Sequence, residues 1–270
     1  GVCLMNTQPI GVLDSGVGGL TVIKAMLAEL PDEDFIYFGD TAHLPYGNKT
    51  PAQLITYAGD IMKFFSTFPV KAVVVACGTH SSVTLQHIIK DYSIPLLGVV
   101  KAAARSAVAV TSNKRLGVLA TQATVMSGTF TREIKTLQPG CTVMEVACPK
   151  FVPLVEAGKL DDSDTRQAVH EYVSPLIEQG IDTLVLGCTH YPFLGPVIKE
   201  FIGPQVKLVD PSYETVEELR QVLHSKNLTR GNNPHSQRHF YVSGSQESFF
   251  TVGKLLVGDV IQRVEQVCLD

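Results

Sequence analysis

The stretch KAVVVACGTHSS, residues 71–82, decides the fold that we predict for this chain. Its unbroken run of small and β-branched residues is typical of a parallel strand buried on both faces. The run ends at Cys77, and the residues that follow have helical spacing. A buried strand that passes straight into a helix is the repeating unit of parallel α/β proteins, so we expect a parallel sheet covered by helices.

The same arrangement returns about a hundred residues later in TLVLGCTHYP, residues 183–192. GVLDS at 11–15 matches GVLAT at 117–121, and ACGTHS at 76–81 matches GCTHYP at 187–192. The order of the two segments and their separation agree between the halves. The sequence therefore predicts two similar parallel-sheet α/β domains related by pseudo-two-fold symmetry.

Strand and helix patterns alternate along both halves. The strand patterns lie at 9–15, 34–40, 71–77, 94–100, 115–121, 141–148, 182–188 and 205–212, with HFYVSG at 239–244 near the end. The helix patterns lie at 18–30, 50–68, 80–92, 124–137, 162–180, 196–203, 213–226 and 245–266. We assign residues 1–101 and 212–270 to a discontinuous first domain and residues 102–211 to the second. The carboxyl ends of parallel strands form the binding edge of such sheets, so the active site should lie in the cleft between the domains.

The composition excludes several classes of protein. The net charge is −4 and no run of Lys or Arg occurs, which argues against a nucleic-acid partner. The apolar runs are too short to cross a bilayer. The first residues have neither a basic region nor a long apolar region, so we expect no signal peptide, a natural start at Met5 and a cytoplasmic protein.

The six cysteines are widely spaced and include no CxxC pair, so we expect reduced thiols and neither a disulfide framework nor a zinc site. Four of them lack the flanking pattern of Cys77 and Cys188, and we interpret them as structural. These four are Cys3, Cys141, Cys148 and Cys268.

Cys77 and Cys188 would face each other across the cleft and could act together as acid and base. Either cysteine alone is also typical of a buried structural thiol, but the matched pair favours chemistry. One thiolate can remove a proton from carbon while the opposite thiol returns one, which inverts the carbon without metal or redox chemistry. Backbone N–H groups at a strand-to-helix turn should favour each thiolate.

Other side chains near the two thiols could assist them. Asp14 in DSGVGG, residues 14–19, could orient an ammonium group or polarise a thiol, although this stretch is also typical of a simple turn. It lacks the spacing of a phosphate loop. His190 could support the Cys188 thiolate, and Glu156, in a loop or short turn, could orient that second thiol. The small residues Gly78, Thr79, Ser81 and Thr189 could stabilise charge on a substrate carboxylate.

Six ordered segments make the chain resemble the glutamate racemases of the cofactor-independent aspartate/glutamate racemase superfamily. The resemblance runs from Ile10 to about Ser212. It rests on GVLDSGVGGLTV, YFGDTAHLPYG, VACGTHSS, ACPKFVPLVEAG, LVLGCTHYPFL and LVDPS.

The resemblance implies interconversion of L- and D-glutamate between two α/β domains, usually in a homodimer, to supply D-glutamate for peptidoglycan. It implies that Cys77 acts on D-glutamate and Cys188 on L-glutamate, with no metal and no other cofactor. Asp14 and His190 would assist the thiols, and Glu156 would support the second one. The substrate contacts implied are Ser15, Pro45, Tyr46, Gly47, Gly78, Thr79, Thr121 and Thr189.

Three positions depart from the family pattern. Gly78 stands where the family usually has an Asn that contacts the substrate, His80 replaces the usual Ala, and His43 replaces an Arg. The two thiols, Asp14 and His190 are retained, so we expect an active enzyme.

Other functions remain open at this level. Racemization of another amino acid, aspartate being the nearest, or decarboxylation would use the same scaffold, although decarboxylation needs only one thiol. A racemase that uses pyridoxal phosphate is disfavoured because no lysine stands out at a strand end. A weakly active protein that binds an amino acid or a regulatory partner is the alternative that Gly78 motivates.

Overall fold

Parallel strands form the centre of both halves in the computed structural model, which describes residues 6–269. The expectations for Cys3 and Met5 therefore lie outside the described residues. The strands are β1 (Ile10–Asp14), β2 (Phe35–Gly39), β3 (Ala72–Val75), β4 (Leu96–Gly98), β5 (Arg115–Ala120), β6 (Thr142–Ala147), β7 (Thr183–Leu186), β8 (Lys207–Val209), β9 (Arg238–Val242) and β10 (Glu265–Gln266).

Helices connect and cover these strands. The α-helices are α1 (Leu20–Glu29), α2 (Pro51–Ser66), α3 (Gly78–Val83), α4 (Leu85–Ile88), α5 (Val99–Val110), α6 (Gln122–Ser127), α7 (Thr129–Leu137), α8 (Phe151–Glu156), α9 (Ser163–Glu178), α10 (Gly195–Ile202), α11 (Ser212–Ser225) and α12 (Gln246–Val257). Short 3₁₀ turns occur at Thr41–His43, Tyr46–Asn48, Ile89–Asp91, Tyr191–Leu194 and Gly258–Val260.

The strands form two sheets in which every pair is parallel. The first sheet has the order β10-β9-β2-β1-β3-β4 and the second the order β6-β5-β7-β8. Thus β1 and β5, which carry the matching GVL segments, occupy equivalent central positions. This arrangement confirms the predicted α/β class with two parallel sheets.

The first sheet takes strands from both ends of the chain, whereas the second uses only the middle. We call the structure around the first sheet the first lobe and that around the second sheet the second lobe. The boundaries at 101/102 and 211/212 stay a prediction, which this division of strands supports. One continuous apolar cluster joins the lobes and includes Val17 and Leu20 with Phe151 and Tyr191.

Helix α2 shows how local sequence sets an element. Thr50 caps its N-terminus by accepting a hydrogen bond from the Gln53 backbone N–H, and the Gln53 side-chain oxygen accepts one from the Thr50 backbone N–H. Pro51 occupies the first helical position, where a missing N–H costs nothing. The predicted start of this helix is therefore confirmed.

Several predicted elements were wrong in extent. The strand predicted at 94–100 ends at Gly98, and the alanine-rich segment after it forms α5, which we did not predict. The helix predicted at 80–92 is broken at Thr84, and that at 124–137 is broken at Gly128, whose φ is 61°. The final helix stops at Val257, because Gly258 has a φ of 68°.

Candidate active site

Polar side chains follow the central strands of both sheets and meet at one place. Asp14 ends β1, Cys77 lies two residues after β3, Thr121 follows β5 directly and Cys188 lies two residues after β7. The carboxyl ends of the two sheets thus point toward each other across the lobe boundary. This is the edge at which the sequence predicted the site.

Cys77 forms the wall contributed by the first lobe. It is the N-cap residue of α3 and is 4% exposed, with its Sγ 3.8 Å from Ser15 Oγ. Burial raises the pKa of the Cys77 thiol, and the neighbouring Asp14 carboxylate raises it further. The His80 backbone N–H favours the thiolate, as expected, but the other two effects outweigh it.

Cys188 lies on the side of the second lobe, together with two side chains of that lobe. The Nδ1 of His190 lies 3.7 Å from Cys188 Sγ, and its Nε2 lies 2.6 Å from Glu156 Oε1. Burial lowers the pKa of His190, but hydrogen bonds and charge from Cys188 and Glu156 outweigh burial and raise it well above its ordinary value. This geometry stabilises a protonated imidazole between Cys188 Sγ and Glu156 Oε1.

The sequence suggested that Glu156 lies in a loop or short turn. In the structure it is instead the last residue of helix α8. The α8 segment contains Pro153 near its start and is only six residues long, which hid the helical period. The Glu156 side chain also accepts a 2.9 Å hydrogen bond from the Val17 backbone N–H of the first lobe. Glu156 therefore joins His190 to the opposite lobe.

Asp14 makes the reciprocal connection from the first lobe. It is fully buried, and its carboxylate accepts hydrogen bonds from the Gly16 N–H and from the Thr189 hydroxyl of the second lobe, both at 2.9 Å. Burial raises the pKa of Asp14 despite the lowering effect of the His190 charge and of these donors. A carboxylate of raised pKa beside a thiol can exchange a proton with it.

The loop between β2 and α2 contacts both lobes. Pro45 is exposed, Tyr46 is buried, and Gly47 packs so closely on the second lobe that a Cβ there would lie 3.3 Å from the Cβ of Thr121. The Tyr46 hydroxyl donates a 2.5 Å hydrogen bond to Asp40, which fixes the loop to the end of β2. The loop therefore lies at the boundary between the lobes, beside Thr121.

Two further contacts cross the lobe boundary beside the thiols. The hydroxyls of Thr79 and Thr121 lie 2.8 Å apart. Gly78 lies directly against the backbone of the other lobe, since a Cβ on it would be only 2.2 Å from the Gly187 carbonyl oxygen. Thr79, Thr121 and Gly78 thus make contacts across the lobe boundary, as Asp14, Thr189 and Glu156 do.

His43 and His80 occupy structural positions near the site. The His43 Nδ1 lies 2.8 Å from the Asp40 carboxylate, and its ring stacks on Tyr57. His80 is fully buried, with its ring edge-on to Tyr46, and burial lowers its pKa to about 4. Ser81, suggested as a donor to the substrate, instead bonds the backbone of Val75.

The sequence missed two parts of the site. Asp40 follows β2 and is bonded by Tyr46 and Ser243, and its place after a buried strand could have revealed it. The Val17 N–H bond to Glu156 has no sequence signal, because every residue except proline carries that donor.

The cysteines outside this pair differ in their surroundings. Cys141 and Cys148 are buried and Cys268 is exposed. Burial raises the pKa of Cys148, which donates to the Val146 carbonyl oxygen. Within residues 6–269, no cluster of His, Cys, Asp and Glu side chains has the arrangement of a metal site. In the same residues, no helix combines the length and apolarity needed to span a membrane.

Comparison with known proteins agrees with this geometry. The Asp/Glu/hydantoin racemase family matches residues 10–219. The chain belongs to this family. A glutamate racemase from Geobacter metallireducens is 43% identical to this chain over 266 residues, which cover 98% of each chain.

Solved structures give the same result. The glutamate racemase isoform RacE1 from Bacillus anthracis has a TM-score of 0.91 and 35% identity, and the match covers 97% of each chain. A glutamate racemase from Francisella tularensis in complex with D-glutamate has a TM-score of 0.91 and 33% identity, and the match covers 98% of this chain and 99% of that one. The predicted family and fold are therefore confirmed.

Proposed function

We propose that this chain interconverts L- and D-glutamate by a cofactor-independent exchange of the Cα proton between Cys77 and Cys188. The observation that carries the proposal is the placement of these thiols. They follow equivalent strands of two similar sheets, and each has its own acid–base partner. The glutamate racemases that match over nearly the whole chain support glutamate as the substrate.

The surroundings of the thiols assign their starting states. Because the raised pKa of His190 places a positive charge 3.7 Å from Cys188 Sγ, we assign Cys188 to removal of the Cα proton of L-glutamate. Burial and Asp14 keep Cys77 protonated, so it donates a proton to the other face of the carbanion. In the reverse direction Asp14 takes the Cys77 proton and His190 returns one to Cys188.

Charge that develops on the substrate carboxylate needs donors in the cleft. We assign this role to the hydroxyl and backbone N–H groups that lie beside the thiols and to the loop wall. The residues are Ser15, Pro45, Tyr46, Gly47, Gly78, Thr79, Thr121 and Thr189. Glu156 acts through His190 and is a positioning residue.

The proposal includes a cellular setting. D-Glutamate made by this isomerase would enter peptidoglycan biosynthesis and so support cell-wall biogenesis and cell shape, in the cytoplasm, with the enzyme acting as a homodimer. The net charge of −4 gives no reason to expect nucleic acid as a partner.

Exchange of the Cα proton tests the proposal directly. The protein is incubated in deuterated water, without added cofactor, with each enantiomer of glutamate and of aspartate, and NMR follows the Cα–H signal. We expect exchange and inversion of glutamate alone, abolished by Cys77→Ala and by Cys188→Ala. Exchange of aspartate alone would reassign the substrate, and tight binding of glutamate without exchange would replace the enzyme by a binding protein.

A further inference from the structure

The loop Gly16–Val17–Gly18 of the first lobe lies against the acid–base pair of the second lobe. Val17 donates its backbone N–H to Glu156 Oε1 at 2.9 Å, and the same oxygen lies 2.6 Å from His190 Nε2. Glu156 therefore accepts one donor from each lobe. Its side chain is 22% exposed, so these two bonds hold it at the rim of the site.

The two glycines of the loop leave room for this pair. A Cβ on Gly16 would lie 2.1 Å from Glu156 Oε1, and a Cβ on Gly18 would lie 2.4 Å from His190 Nδ1. Neither glycine has the positive φ at which glycine is required for backbone reasons. The absence of side chains at these positions is therefore a matter of space for Glu156 and His190, and at Gly18 also for the Thr189 hydroxyl, which would lie 2.7 Å from the new Cβ.

We propose that the loop Gly16–Val17–Gly18 is the positioning device for the His190–Glu156 pair, so that the acid–base apparatus of the Cys188 thiol is complete only when the first lobe lies against it. The inference rests on the proposed function, because it assigns the loop a part in that reaction. Asp14 and Thr189 make the opposite connection at 2.9 Å, so each lobe holds part of the other lobe's apparatus.

A double-mutant cycle separates this role from simple structural support. Gly16→Ala should displace Glu156 and lower kcat/KM for glutamate by about 100-fold, the loss that a shift of about 1 Å in a catalytic group can cause. In the Glu156→Gln background, where the carboxylate is already lost, the same substitution should change kcat/KM by less than about threefold. Full additivity of the two changes would overturn the proposal.

The titration of His190 gives a second readout that needs no turnover. In ¹⁵N-histidine NMR, with the signal assigned through its loss in His190→Asn, the pKa of His190 should fall in Gly16→Ala and in Glu156→Gln. An unchanged titration in Gly16→Ala would contradict the proposal. If the wild-type protein does not racemize glutamate, the proposed function fails, but this titration still decides whether the loop positions the pair.

A matched control and a second variant complete the design. Gly59→Ala makes the same change in helix α2 where nothing lies within 4 Å of the new Cβ, and it should leave both readouts as in the wild type. If Gly16→Ala does not fold, Gly18→Ala presses on the His190 end of the pair and should give the same coupling to Glu156→Gln.

Discussion

Gly78→Ala should force the two lobes apart, because the contact at this position is between two backbones. The new Cβ would lie 2.2 Å from the Gly187 carbonyl oxygen and 3.4 Å from the Cys188 Cα. Neither group is the end of a flexible side chain, so rotation about a side-chain bond cannot relieve the overlap. The gap must widen by about 1.2 Å to bring the 2.2 Å contact to an ordinary 3.4 Å.

That displacement is large for the bonds beside Gly78. The 2.8 Å hydroxyl pair of Thr79 and Thr121 would stretch beyond hydrogen-bond range and lose about 1 kcal/mol. The two thiols would also separate, and a misplacement of about 1 Å can cost about 100-fold in rate. We therefore expect kcat/KM to fall by about 100-fold, which is about 2.7 kcal/mol of transition-state stabilisation.

The assay is steady-state racemization followed by the optical signal of glutamate, with thermal unfolding as the folding check and Gly59→Ala as the matched control. Gly78→Asn should be at least as impaired, because its larger side chain meets the same Gly187 carbonyl oxygen. Activity equal to or above that of the wild type in either Gly78 variant would refute the reasoning. Such a result would mean that the lobes react at a wider spacing than the one described.

Three further substitutions test other parts of the structure. His80→Ala should flatten the pH dependence of the unfolding free energy. The pKa of His80 is about 4 when buried and 6.5 ordinarily, so the unfolded chain binds the proton first as the pH falls. Up to about 3 kcal/mol of unfolding free energy, present above pH 6.5, should therefore be lost by wild type but not by the variant as the pH falls towards 4, which urea unfolding measures. Lys71→Met should lower the unfolding free energy by about 3–5 kcal/mol, because it leaves the carboxylate of Glu33, 2.5 Å from Lys71 Nζ, as an unpaired buried charge. Replacing Glu33 by Leu in the same protein should restore part of this loss in the urea assay. Thr79→Val should reduce kcat/KM about fivefold through loss of the bond to Thr121, and an unchanged kcat/KM would show that this bond does not contribute.

The parts of the site that follow buried strands could be predicted from the sequence. Cys77 and Cys188 end apolar runs at matching places, and parallel strands bring such ends to one edge. Asp14, the last residue of β1, fits the same rule. The rule would also have found Asp40, which ends the apolar run of β2.

Contacts between the lobes could not be predicted in the same way. From the sequence, Gly78 is interpreted as the loss of an Asn side chain that would contact the substrate. The structure shows instead that Gly78 packs against the backbone of Gly187, 109 positions along the chain. A backbone donor such as the Val17 N–H cannot be predicted from residue type, because every residue except proline carries that group. Local patterns also failed at α5, because Val99 and Val100 extend a strand-like apolar run although both belong to the helix.

The unlike surroundings of the two thiols have a consequence for how the enzyme handles mirror-image substrates. Cys77 has Ser15 beside it, whereas Cys188 has His190. Free L- and D-glutamate have equal energies, so the equilibrium constant between them is 1 and kcat/KM must be identical for both, whatever the protein. The different surroundings of the two thiols can therefore change kcat and KM for the two enantiomers only together. The enantiomer with the lower KM must also have the lower kcat, by the same factor. The enzyme then holds an unequal mixture on its own surface while it leaves equal amounts of the two enantiomers in solution.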